Sequence, residues 1–268
     1  MLHVITSSKG GVGKTTVATS LCCIFYNQNK KFKIIELDNN NSSLKYQSSD
    51  IFIEENSKSL KLKKKGEAIS GMLFDLMSDE TIEYIIDIGG GDDTFEILDA
   101  IKSLDIEKTY YIPTTKIKKY LSNAHDTFEY IHDPENTMFV LNQYNDLAEI
   151  RNEFKYFFGN KKMGIKAVSE NFSDDKFLGI PFSDYFQIAE DDEMSILDLA
   201  LISQNITEKE NRSKAFEDAK GDRKKFENLL TQYWNSQEAF KVFEEIEQNF
   251  WSLSLDESEE NKNTKEEK

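Results

Sequence analysis

The sequence feature that most constrains this chain is KGGVGKTT, Lys9 to Thr16, which lies shortly behind the apolar run LHVI. Glycine adopts backbone conformations with positive φ and leaves room for a ligand to approach the main chain. A strand, a glycine-rich turn and a helix N-terminus in this order point several backbone N–H groups at one place, which suits a phosphate chain. The segment therefore predicts an α/β domain with a phosphate-binding loop behind its first strand.

The residue types inside this loop suggest separate tasks for its two lysines. In the common pattern G-x-x-x-x-G-K-[ST], the lysine reaches the β- and γ-phosphates and the hydroxyl residue contacts Mg²⁺. Lys14 and Thr15 occupy those positions, but Ser8 stands where the first glycine belongs, and Lys9 is an additional cation. We expect the nucleotide to be bound by Lys9, Gly10, Gly11, Val12, Gly13, Lys14, Thr15 and Thr16.

The chain as far as residue 202 alternates between short apolar runs and helix-compatible stretches. Runs rich in Ile, Val, Tyr and Phe predict buried strands at 2–6, 32–37, 84–88, 110–112, 138–141 and 177–180. Helices are predicted between them, at 15–27, 94–104, 116–131, 147–158 and 185–201. This alternation predicts a doubly wound, mostly parallel sheet covered by helices on both faces, in a P-loop domain of residues 1–202.

The C-terminal part of the chain has a different pattern. From residue 203 to 255, aromatic and aliphatic residues recur near helical spacing in a stretch without proline. The stretch predicts a helical extension whose apolar stripe packs on the α/β core or, alternatively, against a second chain. Residues 256–268, DESEENKNTKEEK, contain no apolar side chain and predict a disordered acidic tail.

Composition and charge argue against several classes of protein. A net charge of −16 disfavours binding of DNA or anionic lipid over the whole surface, because such binding depends on positive charge. A local contact with DNA or lipid remains possible through KSLKLKKK, 58–65, although lysines are also common on exposed strand edges.

The cysteines and the apolar runs exclude further classes. Cys22 and Cys23 are adjacent, which fits neither a disulfide framework nor a metal knuckle, so we expect buried thiols. No apolar run is long enough to span a bilayer, so we expect a cytoplasmic protein without a stable membrane anchor.

The phosphate loop resembles that of one known family. KGGVGKTT is similar to the deviant Walker A motif of the ParA and MinD P-loop ATPases, in which an added lysine takes the position of Lys9. In that family this lysine reaches across a nucleotide-sandwich dimer to the phosphates bound by the other subunit. The resemblance implies ATP and Mg²⁺ as cofactors, a homodimer in the presence of ATP, and catalytic roles for Lys9 and Lys14.

A second segment extends the resemblance to the attacking water. In KIIELDNN, Asp38 matches the second aspartate of the family's D-x-D segment, which orients or activates that water. Glu36 takes the first acidic position, and Asn39 and Asn40 replace the usual Pro-Gln. The resemblance therefore implies that Asp38 is catalytic.

A third segment resembles the family's metal-binding strand. In YIIDIGGGDD, Asp87 matches the Walker B aspartate that holds the Mg²⁺ shell, so Thr15 and Asp87 are the expected metal-binding residues. Gly89 begins a turn that would approach the γ-phosphate and move when it leaves. Asp92 and Asp93 are expected to cap the next helix.

Two positions late in the domain resemble the family's base-binding region. Asn142 ends a predicted strand and matches the base-contacting asparagine, and Pro181 lies in the segment expected near adenine. A strand-end asparagine or a single proline is often turn chemistry alone. The resemblance implies ATP, and no guanine-reading N-K-x-D follows Asn142.

The resemblance leaves several biological roles open. The leading hypothesis is a partition ATPase for a plasmid or chromosome, whose ATP dimer is released when a DNA-bound adaptor protein stimulates slow hydrolysis. Non-specific DNA binding, and with it association with the nucleoid, would need a local lysine patch formed by 58–65, Lys116, Lys118 and Lys119. The alternatives are a membrane-surface positioning ATPase like MinD, which the acidic stretch FKVFEEIEQNFWSLSL disfavours, and an accessory ATPase or adaptor of a conjugation or plasmid-stability system.

Overall fold

A parallel sheet forms the centre of the molecule. The structure, a computed structural model, describes residues 1–37, 46, 48–53, 55–60, 71, 73–74, 79, 81–91, 93–167, 177–203 and 208–266. Its strands are β1 (Leu2–Ile5), β2 (Phe32–Leu37), β3 (Ser57–Leu60), β4 (Glu83–Ile88), β5 (Lys108–Thr114), β6 (Thr137–Tyr144) and β7 (Phe177–Pro181). Within the described residues they form one seven-stranded sheet in the order β3-β2-β4-β1-β5-β6-β7, with every neighbouring pair parallel.

Helices connect the strands and cover the sheet. They are α1 (Lys14–Asn27), α2 (Thr94–Lys102), α3 (Lys118–Ile131), α4 (Ile150–Glu153), α5 (Lys155–Phe158), α6 (Tyr185–Asp191), α7 (Ile196–Leu201), α8 (Glu208–Ala219) and α9 (Arg223–Glu266). Short 3₁₀ turns lie at Leu147–Glu149 and Lys161–Met163. Parallel neighbours require crossover connections, and most of these connections are helical.

Both faces of the sheet are buried, because side chains alternate between them along each strand. One core contains Ile34, Ile85 and Val140 of the strands with Val17 of α1 and Phe243 of α9. The opposite core contains their chain neighbours Ile35, Ile86 and Leu141 with Leu98 of α2 and Phe128 of α3. Each fully buried side chain of this kind stabilises the fold by about 1.5–3 kcal/mol. The predicted doubly wound α/β fold is confirmed.

The strands agree with the sequence prediction except at one edge. Strand β3 lies outside the predicted set and pairs with β2 at the margin of the sheet, Ile34 opposite Ser57 and Leu37 opposite Leu60. Its sequence, SKSL, is too polar and short to give a buried-strand signal. Lys58 therefore lies on an edge strand, which the sequence analysis gave as the alternative to a role in binding DNA. Residues 61–65 fall outside the described residues.

Two predicted helices are each interrupted in the structure. The 185–201 helix is two helices, because Glu193 has a φ of 56° and Ser195 begins a new helix. There the Asp198 N–H donates to the Ser195 hydroxyl at 3.1 Å and the Ser195 N–H donates to the Asp198 carboxylate at 2.9 Å. In the 147–158 segment, Asp146 accepts from the Ala148 N–H and starts a 3₁₀ turn before α4 and α5.

Helix α9 is the long element of the C-terminal part. Its Ala239, Phe243 and Ile246 are almost fully buried in the core shared with α1 and α7, whereas Trp234 is 47% exposed. Its backbone stays helical through Glu266, so the boundary expected at residue 255 does not coincide with a helix end. No proline or glycine interrupts the segment after residue 222. None of the helices described is long and apolar enough to cross a membrane.

The two cysteines lie inside α1 and are fully buried, as expected. Neither forms a disulfide. Burial raises the pKa of the Cys23 thiol to about 12 and raises that of Cys22 as well. Both side chains therefore act as small apolar groups of the core, because the reactive thiolate is disfavoured.

A buried histidine joins side chains of three neighbouring strands, β1, β4 and β5. The His3 Nε2 lies 3.2 Å from the Glu83 carboxylate, and its Nδ1 lies 3.2 Å from the Tyr111 hydroxyl. Burial lowers the pKa of His3 despite the nearby carboxylate, so the folded protein favours the neutral imidazole. The hydrogen bond with His3 lowers the pKa of Glu83 to about 2.

We predict that the stability of the fold depends on pH and that His3→Gln reduces this dependence. The pKa of His3 is lowered from 6.5 on folding, so the unfolded chain takes up a proton first and stability falls as the pH drops below 6.5. Urea unfolding at about pH 7 and about pH 5.5 should show a smaller loss in His3→Gln than in wild type. His125→Gln on α3, which makes the same change away from Glu83 and Tyr111, is the control, and equal slopes in all three proteins would contradict the assignment.

Candidate functional site

The phosphate loop joins β1 to α1 at the carboxyl edge of the sheet. Gly11 and Gly13 have φ values of 77° and 95°, the left-handed region that other residues avoid. Gly13 is also enclosed, because a Cβ built there would lie 1.9 Å from the Asn142 amide nitrogen. The N–H groups of the first turn of α1 follow directly, so the loop and helix can together bind an anion.

The two lysines of the loop are placed differently. Lys14 is only 8% exposed, and its Nζ donates to the Lys9 carbonyl at 3.0 Å. Lys9 in the same turn is exposed. Phosphate oxygens are stronger acceptors for an ammonium group than a backbone carbonyl, so the Lys14 amine lies where it can bind a phosphate chain.

A hydroxyl and a carboxylate meet beside the loop. The Thr15 hydroxyl donates to the Asp87 carboxylate at 2.8 Å, and Asp87 is only 3% exposed. Asp87 reaches this point because β4 pairs with β1, placing Asp87 opposite Ile5 just before the loop begins. These two oxygen ligands fit Mg²⁺, which commonly takes one or two protein ligands and completes its shell with phosphates and water.

A second buried carboxylate lies in the adjacent strand. Glu36 of β2 is paired in register with Asp87 of β4 and is 1% exposed. Buried carboxylates on neighbouring strands favour a cation nearby, which strengthens the fit of Mg²⁺ and of Lys14 to this edge. Among the described residues, no three His, Cys, Asp or Glu side chains group closely enough to bind a metal by themselves. Asp38, two residues beyond Glu36, lies outside the described residues.

The turn after β4 packs directly on the phosphate loop. A Cβ at Gly90 would lie 2.8 Å from the Gly10 nitrogen and 2.9 Å from the Lys14 Nζ, so only glycine fits. The Gly89 N–H donates to the Leu37 carbonyl at 2.8 Å, which fixes the start of the turn between β4 and β2. The three consecutive glycines pointed to this turn, but which of them touches the loop could not be read from the sequence.

Thr94, which the sequence analysis did not select, holds this turn in place. Its hydroxyl donates to the Gly89 carbonyl at 3.0 Å and accepts from the Gly91 N–H at 3.2 Å. The expected capping role of Asp93 is corrected: Asp93 occupies the N-cap position of α2, but its side chain makes no capping hydrogen bond. The Thr94 hydroxyl bonds the turn before the helix and does not cap α2 either. Asp92 is outside the described residues.

The two residues expected near the base lie at the ends of β6 and β7. The Asn142 amide is 3% exposed and donates to the Val12 carbonyl at 3.0 Å, so it contacts the phosphate loop itself. Pro181 is buried and paired in register with Tyr144. Their contact with an adenine stays a prediction.

Of the three lysines around the start of α3 that were expected to contact DNA, one is paired with a carboxylate and two are exposed. Lys116 forms an ion pair with Glu153, whose carboxylate also accepts from the Asn145 and Asp146 N–H groups. The Lys118 Nζ lies 5.8 Å from the centre of the Tyr156 ring. Lys118 and Lys119 have exposed side chains.

We predict that Gly90→Ala weakens nucleotide binding and that Gly91→Ala does not. The added methyl at residue 90 would displace the Gly10 main chain or the Lys14 amine, whereas a Cβ at residue 91 meets nothing within 4 Å. Titration with fluorescent ATP should give at least about tenfold weaker affinity for Gly90→Ala, or about 1.4 kcal/mol. Equal affinities for the two variants would show that the turn does not press on the phosphate loop.

Comparison with known proteins agrees with this geometry. The family model of the CobQ/CobB/MinD/ParA nucleotide binding domain matches residues 3–196. The MinD cell division ATPase of Pyrococcus furiosus is 15% identical, with 92% of this chain and 98% of that chain covered and a TM-score of 0.52. A chain of the MinC:MinD cell division protein complex of Aquifex aeolicus is also 15% identical, with 74% of this chain and 88% of that chain covered and a TM-score of 0.51.

A putative plasmid partition protein of Borrelia burgdorferi bound to AMPPNP is 16% identical, with 87% of this chain and 97% of that chain covered and a TM-score of 0.48. The search of curated proteins returned no match. At these identities the two solved structures with TM-scores above 0.5 show a shared fold, and the family model covers most of the α/β domain. The chain belongs to the CobQ/CobB/MinD/ParA family of nucleotide-binding domains and has the P-loop ATPase fold of ParA and MinD.

Proposed function

We propose that this protein is an ATP-hydrolysing switch whose two subunits close on ATP, and that it acts in the partitioning of a plasmid or chromosome. The observation that carries the proposal is the different placement of the two lysines. Lys14 is buried against its own loop, whereas the Lys9 side chain is exposed on the same turn. An exposed cation beside a phosphate site can reach a nucleotide bound by a second subunit, and it adds positive charge where the transition state is negative.

The residues around the loop supply the remaining parts of a phosphoryl-transfer site. Thr15 and Asp87 would hold Mg²⁺, which neutralises the β- and γ-phosphates when bound. Lys14 adds positive charge from within the subunit. Asp38 directly follows β2, whose last residue Leu37 pairs with Ile88 beside Asp87, and we assign it the orientation of the attacking water. Closing two subunits would exclude solvent from this site and complete it.

The proposed partners are a second copy of this chain, a DNA-bound adaptor protein that stimulates hydrolysis, and non-specific DNA. Because the net charge is −16, contact with DNA would rest on a local patch. Lys118 and Lys119 are exposed on α3 and remain candidates for it, whereas Lys116 is neutralised by Glu153. The contact should therefore weaken steeply with salt.

The two alternative roles share the same nucleotide site and differ in what the dimer binds. A positioning ATPase like MinD would bind an anionic membrane surface, and a conjugation or plasmid-stability adaptor would bind a protein without needing DNA. The described part of α9 carries Glu238, Glu244 and Glu247, which anionic lipid would repel. Co-sedimentation of the ATP-bound form with duplex DNA and with anionic vesicles separates these roles.

We predict that the two lysines separate nucleotide binding from dimerisation. Light scattering should give a dimer mass for wild type with ATP and a monomer mass with ADP. Lys14→Ala should lose nucleotide binding, because the phosphates lose their buried cation. Lys9→Ala should keep affinity for ATP within about threefold but stay monomeric, because its charge serves the other subunit. Lys162→Ala, which removes an exposed charge from a distant 3₁₀ turn, is the control and should dimerise. A dimer of Lys9→Ala with ATP would remove the cross-subunit role.

We also predict that Asp38→Ala separates hydrolysis from binding. Without the carboxylate that orients water, phosphate release should slow by about a hundredfold while ATP binding and the dimer persist. Phosphate release and light-scattering mass are measured on the same sample, with Asn41→Ala as a neighbouring control. Hydrolysis at the wild-type rate in Asp38→Ala would show that another residue orients the water.

A further inference from the structure

A tyrosine at the end of β6 anchors helix α9 to the sheet. The Tyr144 hydroxyl donates to the Glu245 carboxylate and accepts from the Asn249 amide at 3.0 Å. The same Asn249 amide donates to the Gly179 carbonyl of β7 at 3.0 Å. Tyr144 is 1% exposed, and burial together with the Glu245 carboxylate raises its pKa, so the hydroxyl keeps the proton that it donates.

The tyrosine ring packs closely against β7. A Cβ at Gly179 would lie 2.7 Å from the ring, so glycine is required there. Between Asn142 and Tyr144 the pairing of β6 with β7 shifts register, and Gln143 has a φ of 66°. Tyr144 therefore lies on one side of an irregularity in the strand pairing and joins it to α9.

On the other side of this irregularity, Asn142 contacts the phosphate loop. The Asn142 amide, two residues before Tyr144, donates to the Val12 carbonyl at 3.0 Å. The same amide occupies the space that a side chain at Gly13 would need. A displacement of the strand end would therefore be transmitted to the loop main chain, whose N–H groups must keep their direction to bind phosphate.

We propose that Tyr144, Glu245 and Asn249 are positioning residues for the nucleotide site, and that helix α9 sets nucleotide affinity through them. The helix fixes Tyr144, Tyr144 fixes the end of β6, and Asn142 at that end supports the phosphate loop. Both acceptor and donor on α9 lie beyond residues 3–196, the part matched by the family model. The inference rests on nucleotide binding by this domain and is independent of a role in partitioning.

Helix α9 has other anchors that allow a matched test. The Asn27 amide at the end of α1 donates to Glu247 at 3.1 Å, two residues along α9 from Glu245. Asn27 lies about 20 Å along α1 from the phosphate loop, at 1.5 Å per residue. Glu245→Ala and Glu247→Ala therefore make the same chemical change on one helix, and each removes the hydrogen bonding of one carboxylate to one side chain of the α/β domain, Tyr144 or Asn27. The variants differ in whether that bond leads to the phosphate loop.

The experiment compares wild type, Tyr144→Phe, Glu245→Ala and Glu247→Ala at a temperature where thermal unfolding shows all four to be folded. Titration with fluorescent ADP and ATP should give about threefold to tenfold weaker affinity for Tyr144→Phe and Glu245→Ala, and wild-type affinity for Glu247→Ala. Hydrogen exchange of residues 9–14 without nucleotide should be faster in the first two variants alone, because the loop loses its support.

Wild-type affinity and loop exchange in Tyr144→Phe and Glu245→Ala would overturn the inference. An equal loss in Glu247→Ala would also overturn it, because the effect would then be general loosening of α9. If Tyr144→Phe does not fold, the pair Glu245→Ala and Glu247→Ala decides the outcome. If wild type binds no nucleotide, the proposed function fails, and the exchange of the loop amides alone decides the positioning role.

Discussion

The structure depends on the close approach of three main-chain segments at the phosphate loop. Gly13 leaves its side-chain space to Asn142, and Gly90 lies against the Gly10 nitrogen and the Lys14 amine. Close packing of this kind leaves no room for even one methyl group. The ends of β4 and β6 therefore determine the shape of a loop that belongs to neither of them. Binding of a phosphate chain depends on that shape, because the loop N–H groups bind an anion only when they converge.

The electrostatics of the site follow from the parallel sheet. Parallel strands end at one edge, so Asp87 and Glu36, which are 51 residues apart in sequence, become paired neighbours. Buried carboxylates at that edge favour cations, and Lys14 and a bound Mg²⁺ can supply the charge. Lys9 is exposed, as the action on another subunit that we propose for it requires.

Helix α9 is part of the same arrangement. Its apolar residues Phe243 and Ile246 pack in the same core as α1. Its polar residues Glu245 and Asn249 form hydrogen bonds with the Tyr144 hydroxyl. Burial of the apolar side supplies stability, and the polar contacts fix where the helix lies along the strand. The C-terminal extension and the nucleotide site therefore share one strand, β6, through which a change at either could affect the other.

The sequence alone determined the phosphate loop, the doubly wound fold, the family and the burial of Cys22 and Cys23, because these depend on local residue type and on periodicity. It could not predict β3, the interruption at Glu193 or the hydrogen bonds of Thr94 to the glycine turn, since neighbouring strands and turns decide these. Only the tertiary structure placed Asn142 on the loop, Gly90 beside Lys14 and Tyr144 under α9. Contacts between residues distant in sequence depend on sheet order and register, which a single sequence does not encode in any local pattern.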